Sequence, residues 1–362
     1  MAGKFLPPHP GHSLVIEAAL AECESVDVVV CDRPGEWPPA SERARWLEAL
    51  HPRVTVHVVD DICAWHGDEP CPPRCSPAWA EHLRGLGLGP WTHVHGSEGY
   101  VTGFAAALGA APRPVDPERR RVPLSGSAVR ANLDRHWHEL APVVRAGLIR
   151  RVVVLGAESS GTTTLAQDLG ERLGAAVVPE YGREFSARRA VECGSIWDVT
   201  WSPEDFTHIA AEQERLEKTT LERWANVPDG CGATDRGGPF LMCDTDTLAT
   251  AVWHRRYLGD RAPALLKRSR ARPPLLYVLT SPRGVAFHQD GLRDGEAIRE
   301  AMTEWFREAL AGQRAPWIEV GGGRERRVED VCDWLAAHAG AAVRTAPSHR
   351  LGPGGTTHRG PR

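Results

Sequence analysis

A glycine-bounded loop in the middle of the chain constrains the fold more than any other feature. Residues 156–164 follow the apolar run Arg151–Leu155 and precede a helical pattern that begins at Thr163. A strand, a turn with this glycine spacing and a helix form the context of a P-loop, whose backbone N–H groups bind phosphate. The spacing matches G-x-x-x-x-G-K-[ST] except at Thr162, which occupies the lysine position. The predicted ATP-binding residues of the loop are Gly156, Glu158, Ser159, Ser160, Gly161, Thr162, Thr163 and Thr164.

Short apolar runs alternate with helical patterns on both sides of this loop. Continuous apolar runs such as 26–30 and 54–59 are typical of strands that a parallel sheet buries on both faces. The predicted fold class is therefore α/β, with two doubly wound parallel-sheet domains. We expect the first domain to span 1–147 and the second to span 148–340. The tail, 341–362, is expected to be disordered, because it holds too few apolar residues to offset the entropy of ordering.

Local signals give several element ends. Later strands are predicted at 239–243, 275–279 and 317–320, and helices at 13–21, 41–50 and 324–337. Ser41 and Ser202 are predicted as helix N-caps. Tryptophans at helix-spaced positions are expected to pack in cores rather than to stack on nucleotides, and these are Trp46, Trp224, Trp253 and Trp305.

Composition restricts the partners. The net charge of −4 gives no general attraction to nucleic acid or to anionic membranes, and no apolar run approaches the roughly 20 residues that span a bilayer. Nine cysteines, scattered without a disulfide-like framework, indicate a reducing cytoplasm. We therefore expect a cytoplasmic protein that binds neither nucleic acid nor membrane. The sequence does not decide whether the chain forms a homo-oligomer.

Two histidines near the N-terminus suggest a phosphate site. His9 and His12 lie three residues apart just before a helical pattern, with Gly11 between them and Lys4 a few residues earlier. A helix N-terminus attracts anions, and imidazole donors there can stabilise phosphate charge in a transition state. A second element, with Ser125, Ser127 and Arg130 at another helix start, suits a further phosphate contact. These two elements together predict a site for a triphosphate group.

With these motifs in order, the chain resembles the bifunctional nicotinamide-mononucleotide adenylyltransferase/ribosylnicotinamide kinase (NadR-type) family. The resemblance runs from Gly3 to about Ala337 and includes residues 95–100 and 115–120. It implies a nucleotidyltransferase domain followed by a P-loop kinase domain, with ATP, nicotinamide mononucleotide and ribosylnicotinamide as partners and Mg²⁺ as cofactor. For the first half, the resemblance implies His9, His12 and Lys4 as catalytic residues and Gly11, Ser125, Ser127 and Arg130 as ATP-binding residues. The 5′-phosphate of the mononucleotide would attack the α-phosphorus of ATP to give NAD and pyrophosphate.

For the second half, the resemblance implies a kinase site. Glu180, Asp244 and Arg293 are the implied catalytic residues, with Thr163 and Asp244 at Mg²⁺. Substrate contacts are implied for Tyr181, Arg183, Asp246 and Asp290. The 5′-hydroxyl of ribosylnicotinamide would attack the γ-phosphorus of ATP, and either Glu180 or Asp244 would accept its proton.

In the second half, the main departure from the P-loop motif is Thr162, which occupies the lysine position. The backbone nest would survive without the lysine, but a cation at the β- and γ-phosphates would be lost. Our hypothesis is that an arginine replaces it, and the candidates are Arg183, Arg188, Arg189, Arg283 and Arg293.

The N-terminus is the second departure. Family members have a strand before the Gly-Lys-Phe segment, whereas here only Met1 and Ala2 precede Gly3. We therefore expect the first strand to be missing and the true start to lie upstream. The helix-turn-helix domain of some members is also absent, so DNA binding is not expected.

Three alternatives remain open for the function. The chain could be an adenylyltransferase whose kinase half only binds nucleotide, or a non-catalytic nucleotide sensor or scaffold. A different nucleotidyl acceptor, such as a pantetheine or sugar phosphate, is the third.

Overall fold

The computed structural model describes residues 1–63, 75–133, 135–227, 239–289 and 295–342. Their contacts form two compact units, Met1–Leu148 and Ile149–Ala337. Every strand pair in both units is parallel, which confirms the predicted α/β class. Within the described ranges, no helix has the length and apolar character needed to cross a membrane.

The first unit contains a three-stranded sheet in the order β1-β2-β3 and a two-stranded sheet of β4 and β5. Val29, Val94 and Phe104 belong to one buried cluster, so residues of both sheets share a core. The elements of this unit are β1 (Ala2–Gly3), α1 (Pro10–Glu22), β2 (Asp27–Asp32), α2 (Ala40–Leu50), β3 (Thr55–Asp60), α3 (Ser76–Gly85), β4 (His93–Gly96), α4 (Val101–Leu108), β5 (Ala111–Pro114), α5 (Gly126–Ala131) and α6 (Pro142–Leu148).

The strand β1 corrects the expectation of a missing first strand. Ala2 and Gly3 pair in parallel with Val29 and Val30 of β2. The Met1 carbonyl accepts the Val29 N–H at 2.8 Å, and the terminal ammonium donates to the Asp27 carbonyl at 2.9 Å. Two small residues carry no strand signal in the sequence, but backbone pairing with β2 is enough to fix them beside it.

One predicted helix cap is wrong and another is confirmed. Helix α2 begins at Ala40 after an extended Pro39, so Ser41 lies inside the helix rather than at its N-cap. At the start of the helix Pro203–Ala225, the Ser202 Oγ accepts the Asp205 N–H at 3.3 Å and the Asp205 carboxylate accepts the Ser202 N–H at 2.8 Å. This reciprocal capping box fixes the start of a 23-residue helix.

The second unit is built on one five-stranded sheet in the order β10-β9-β6-β8-β7. The central strand β6 is buried on both faces and ends at the P-loop, so the loop opens at the carboxyl edge of the sheet. The elements of this unit are β6 (Arg150–Gly156), α7 (Thr162–Leu173), β7 (Ala176–Val178), α8 (Tyr181–Cys193), α9 (Pro203–Ala225), β8 (Phe240–Asp244), α10 (Thr247–Leu258), α11 (Pro263–Ala271), β9 (Leu276–Thr280), α12 (Arg299–Ala311), β10 (Trp317–Val320) and α13 (Arg324–Ala342).

Candidate functional sites

The first unit has a cavity of about 600 Å³ at the start of α1. Every site residue that the sequence suggested for this half lines this one cavity: Lys4, His9, Gly11, His12, Ser125, Ser127 and Arg130. The loop before α1 and the start of α5 bring them together across more than 100 residues of chain. The cavity volume lies in the range of sites that bind nucleotide-sized ligands.

Backbone hydrogen bonds fix the orientation of both imidazoles. His9 is the N-cap of α1, and its Nδ1 accepts the Gly11 N–H at 3.1 Å. The Nδ1 of His12 accepts the His9 N–H at 3.2 Å, and the two ring centroids are 3.8 Å apart. Because each Nδ1 is an acceptor, each neutral ring carries its proton on Nε2. The cap therefore holds two Nε2–H donors at the mouth of a helix.

Burial keeps both rings neutral. It lowers the pKa of His9 from 6.5 to about 4, with a smaller contribution from the positive charges of Arg119 and Arg130. Burial, His9 and Arg119 hold the pKa of His12 well below 6.5. Neutral imidazoles can donate hydrogen bonds to an anion without adding a fixed charge.

These pKa shifts predict how the stability of the first unit depends on pH. An unfolded His9 binds a proton near pH 6.5, whereas the folded one binds it only near pH 4, so the stabilising contribution is present above 6.5 and is lost as the pH falls. For His9 the free energy of unfolding should decrease by up to roughly 3 kcal/mol between pH 6.5 and 4. Urea unfolding across this range checks it, with His9→Gln as the comparison. If the free energy of unfolding fell equally with pH in both proteins, the effect could not be assigned to His9.

Gly11 permits the close packing of the cap. A Cβ at this position would lie 3.0 Å from Cε1 and 3.1 Å from Nδ1 of His9. A side chain would therefore displace the imidazole that caps the helix.

The start of α5 forms the opposite wall. The Ser125 Oγ caps the helix by accepting the Ala128 N–H at 3.1 Å, and the Oγ of Ser127 lies 3.2 Å away. Arg130 donates from Nη1 to the Leu6 carbonyl at 2.7 Å, which anchors its guanidinium at the cavity. Two hydroxyls and an anchored cation thus face the helix cap, an arrangement suited to phosphate.

Lys4 also lines the cavity, but its ammonium is paired. Its Nζ lies 2.8 Å from Oε1 of Glu36. Arg43, which is fully buried, donates to the carbonyl of Lys4 and to that of Cys31. Contact between Lys4 and a phosphate would therefore require exchange of the Glu36 partner.

Arg119 is a cavity residue that the sequence indicated only through its motif. Its Nη1 donates to the Leu124 carbonyl at 2.8 Å and its Nη2 lies 2.5 Å from Oε1 of Glu98. The turn that carries it is held by Asp116, whose carboxylate accepts backbone N–H bonds from residues 120–122. The cavity therefore has a second anchored guanidinium opposite the histidines.

The second unit has a smaller cavity, about 110 Å³, beside the P-loop. The predicted residues Gly156, Glu158, Ser159, Thr162, Thr163, Glu180 and Arg183 line it. The predicted residues that are not among the described lining residues are Ser160, Gly161, Thr164, Tyr181, Asp244 and Asp246. Asp290 and Arg293 lie outside the described residues. The predicted ATP-binding and riboside residues are thus brought together in part.

The P-loop has the backbone of an anion cradle. Ser159 and Gly161 have φ angles of +55° and +92°, in the left-handed region. The hydroxyl of Ser160 points inward and donates to the Ala157 carbonyl at 2.6 Å, with Oγ1 of Thr280 at the same distance. A loop with such left-handed residues turns its backbone N–H groups toward one concave side, which can bind an anion.

Gly156 provides a test of this packing. A Cβ there would lie 2.3 Å from Oγ1 of Thr280 and 2.6 Å from Oγ of Ser160. We expect Gly156→Ala to lower the free energy of unfolding of the second unit by about 1–3 kcal/mol and to abolish nucleotide binding there. Calorimetry and ATP titration check this. The control is Gly323→Ala, since a Cβ at 323 meets open space. If the two variants had the same stability and the same ATP binding, the prediction would be contradicted.

Asp244 and Thr163 form the candidate metal site. The Thr163 hydroxyl donates to Oδ2 of Asp244 at 2.6 Å, and Oδ1 of this buried carboxylate has no hydrogen-bond partner among the described residues. Burial raises the pKa of Asp244, while hydrogen bonds from Thr163 and Thr162 and the charge of Arg183 oppose the rise. An unpartnered carboxylate oxygen beside a P-loop hydroxyl fits Mg²⁺, which prefers such hard oxygen ligands.

Asp246 needs a correction, because its contacts are structural. Its Oδ1 caps α10 by accepting the Leu248 N–H at 2.8 Å, and its Oδ2 accepts the Tyr277 hydroxyl at 3.0 Å. The side chain is buried, with 2% of its surface exposed. Both carboxylate oxygens are thus engaged within the fold. Tyr181 is also largely internal, with its hydroxyl 3.1 Å from Nε2 of His208.

An aromatic wall completes the second cavity. Trp201, Phe206, Trp253 and Tyr257 line it together with Thr250 and Gln213. Trp253 packs against the buried core cluster of this unit, as expected, and also borders the cavity. Trp46 is buried in the first unit as expected. Helical spacing places Trp253 and Tyr257 on one face of α10, but it could not show that this face borders a cavity.

Comparisons with known proteins agree with this architecture. A family model described as an AAA domain matches residues 151–327. The trifunctional NAD biosynthesis/regulator protein NadR of Salmonella typhimurium is 24% identical over 336 residues, which cover 84% of this chain and 75% of that protein. The protein of the same name from Escherichia coli is 26% identical over 344 residues, covering 88% and 77%.

Solved structures extend the match to the whole fold. A NadR protein in complex with NAD and AMP-PNP aligns with a TM-score of 0.62 and 20% identity, covering 97% of both chains. A NadR protein in complex with NR aligns with the same score and coverage. The chain is therefore similar in sequence to the NadR proteins over most of its length, and it has the same fold as the solved NadR structures.

Proposed function

We propose that the chain makes NAD in two steps, by phosphorylating ribosylnicotinamide in the second unit and adenylylating the mononucleotide in the first. Similarity to the NadR proteins supports a role in NAD biosynthesis or its regulation. The observation that carries the finer proposal is that each unit has its own phosphate cradle at a helix N-terminus.

In the first unit, the triphosphate of ATP lies across the N-terminus of α1. The Nε2–H groups of His9 and His12 donate to its oxygens, and the guanidinium of Arg130 stabilises the charge that grows on the departing pyrophosphate. The 5′-phosphate of nicotinamide mononucleotide attacks the α-phosphorus in line. No protein nucleophile takes part, so orientation and electrostatics supply the acceleration.

In the second unit, the γ-phosphate of ATP is transferred to the 5′-hydroxyl of ribosylnicotinamide. Glu180 lines the cavity beside the P-loop, whereas Asp244 is not among the described lining residues and lies next to the Thr163 hydroxyl. We therefore assign the proton acceptor to Glu180 and the metal-binding role to Asp244. Mg²⁺, held by Asp244 and Thr163, would neutralise phosphate charge. The nicotinamide ring is proposed to rest against Trp253 and Tyr257.

One assay tests the whole proposal. The chain is incubated with ATP, Mg²⁺ and ribosylnicotinamide, and the mononucleotide and NAD are followed over time. Appearance of NAD would support both steps. NAD formed from added mononucleotide but not from the riboside would replace the proposal with an adenylyltransferase that has a nucleotide-binding second unit. Formation of NAD from neither precursor would favour a sensor.

A further inference from the structure

Two arginines donate hydrogen bonds to carbonyl groups of the P-loop. Arg299, the first residue of α12, donates from Nε to the Glu158 carbonyl at 3.0 Å and from Nη2 to the Ser159 carbonyl at 2.9 Å. Both of its Nη atoms also lie 3.2 Å from the Val285 carbonyl. One guanidinium therefore binds two consecutive peptide groups of the loop.

Arg327, on α13, binds the next peptide group. Its Nη1 donates to the Ser160 carbonyl at 2.6 Å. Its Nη2 and Nε donate to the carbonyls of Ser281 and Gly322, each at 3.0 Å, and 5% of the residue is exposed. Three successive P-loop carbonyls, 158–160, thus accept hydrogen bonds from two arginines.

In the described part of the chain, these two arginines have no carboxylate partner. Among the described residues, neither guanidinium forms an ion pair with a carboxylate, although Arg324 and Arg326 on α13 both do. A guanidinium stays charged at all ordinary pH values. Two full positive charges therefore lie next to a loop whose lysine position is Thr162. Because each carbonyl points to an arginine, the charge polarises the peptide groups of the cradle.

We propose that Arg299 and Arg327 are positioning residues that supply, through the P-loop backbone, the positive potential that a lysine at position 162 would otherwise provide. The inference rests on the proposed binding of ATP by the second unit. The potential acts on phosphate and not on the nucleoside, so its contribution rises with the number of phosphate groups.

The test is isothermal titration of the full chain with ATP, ADP, AMP and adenosine in Mg²⁺ buffer. The binding site that is absent from the Gly156→Ala variant is assigned to the second unit. Arg299→Gln keeps an N–H donor and removes the charge, whereas Arg299→Lys keeps the charge. We expect Arg299→Gln and Arg327→Gln each to weaken ATP binding about 10-fold and adenosine binding less than 2-fold. Arg299→Lys should stay within about 3-fold of the unsubstituted chain.

Rescue by lysine separates electrostatics from packing. Thr162→Lys in the Arg299→Gln background should restore ATP affinity to within about 3-fold, because it returns one charge to the cradle. The control is Arg326→Gln, which removes an exposed charge from the same helix. The inference would be overturned if the affinities for all four ligands fell equally, or if Thr162→Lys did not restore ATP affinity. The two arginines would then have a purely structural role.

Two further outcomes are informative. If Arg327→Gln does not fold, Arg299→Gln and its rescue still decide the question. If the unsubstituted chain shows no ATP site that Gly156→Ala removes, the proposed function of the second unit fails instead. That result is distinct from an ATP site that ignores Arg299.

Discussion

Replacing His12 by alanine should lower the rate of adenylyl transfer by about 10²–10³-fold, because one oriented donor to the developing phosphate charge is removed. The same change leaves the His9 N–H without the acceptor that it has at 3.2 Å, so the cap of α1 is also weakened. The rate of NAD formation from ATP and added mononucleotide is the measurement.

Two controls make this result specific to the first unit. Phosphorylation of ribosylnicotinamide by the same variant should be unchanged, since His12 lines only the first cavity. His57→Ala removes an imidazole that pairs with Asp27 outside the cavity, and it should retain most of the activity. A His12→Ala protein whose rate stays within threefold of the unsubstituted chain would exclude the proposed role.

Replacing Asp244 by asparagine should abolish phosphorylation of the riboside, with a loss of at least about 100-fold, and should leave adenylyl transfer intact. Asparagine matches the shape of the carboxylate but removes the charge that would bind Mg²⁺ and hold the Thr163 hydroxyl. Mononucleotide formation at saturating ATP and Mg²⁺ is the measurement, and raising the Mg²⁺ concentration should recover little of the loss.

The neighbouring Asp246 supplies the contrast. Asp246→Asn removes charge-assisted bonds to the α10 cap and to Tyr277, so its main effect should be a free energy of unfolding lower by about 1–3 kcal/mol. If Asp244→Asn lowered only the stability and Asp246→Asn only the activity, the two assignments would have to be exchanged.

Local signals in the sequence were sufficient for the fold class and for much of the first site. Residues 9–12 and 125–130 are each short segments in which the capping residue, the glycine and the cation are close in sequence. They meet in one cavity although residues 9–12 follow β1 of the three-stranded sheet and residues 125–130 follow β5 of the two-stranded sheet. The P-loop could also be predicted, because its glycine spacing and its flanking strand and helix are close together in sequence.

Long-range contacts explain what the sequence did not reveal. An aspartate near the end of β8 can face the P-loop or cap the next helix. Asp244 does the first and Asp246 the second, and the sequence alone does not distinguish the two roles. Trp253 has the spacing of a core residue because one helical face serves both the core and the cavity wall. The arginines that bind the P-loop come from helices 140 and 167 residues away, so no local pattern points to them.

The sheet order of the second unit has a consequence for its biosynthesis. The P-loop is made early, yet its partners come much later: Asp244 lies 81 residues after Thr163, Thr280 lies 120 residues after Ser160, and Arg327 lies 167 residues after Ser160. Loops of this length must close before the cradle exists, which slows folding. A nascent chain that stops before α13 should therefore bind ATP poorly. ATP, bound as proposed, would stabilise only chains in which the cradle is complete.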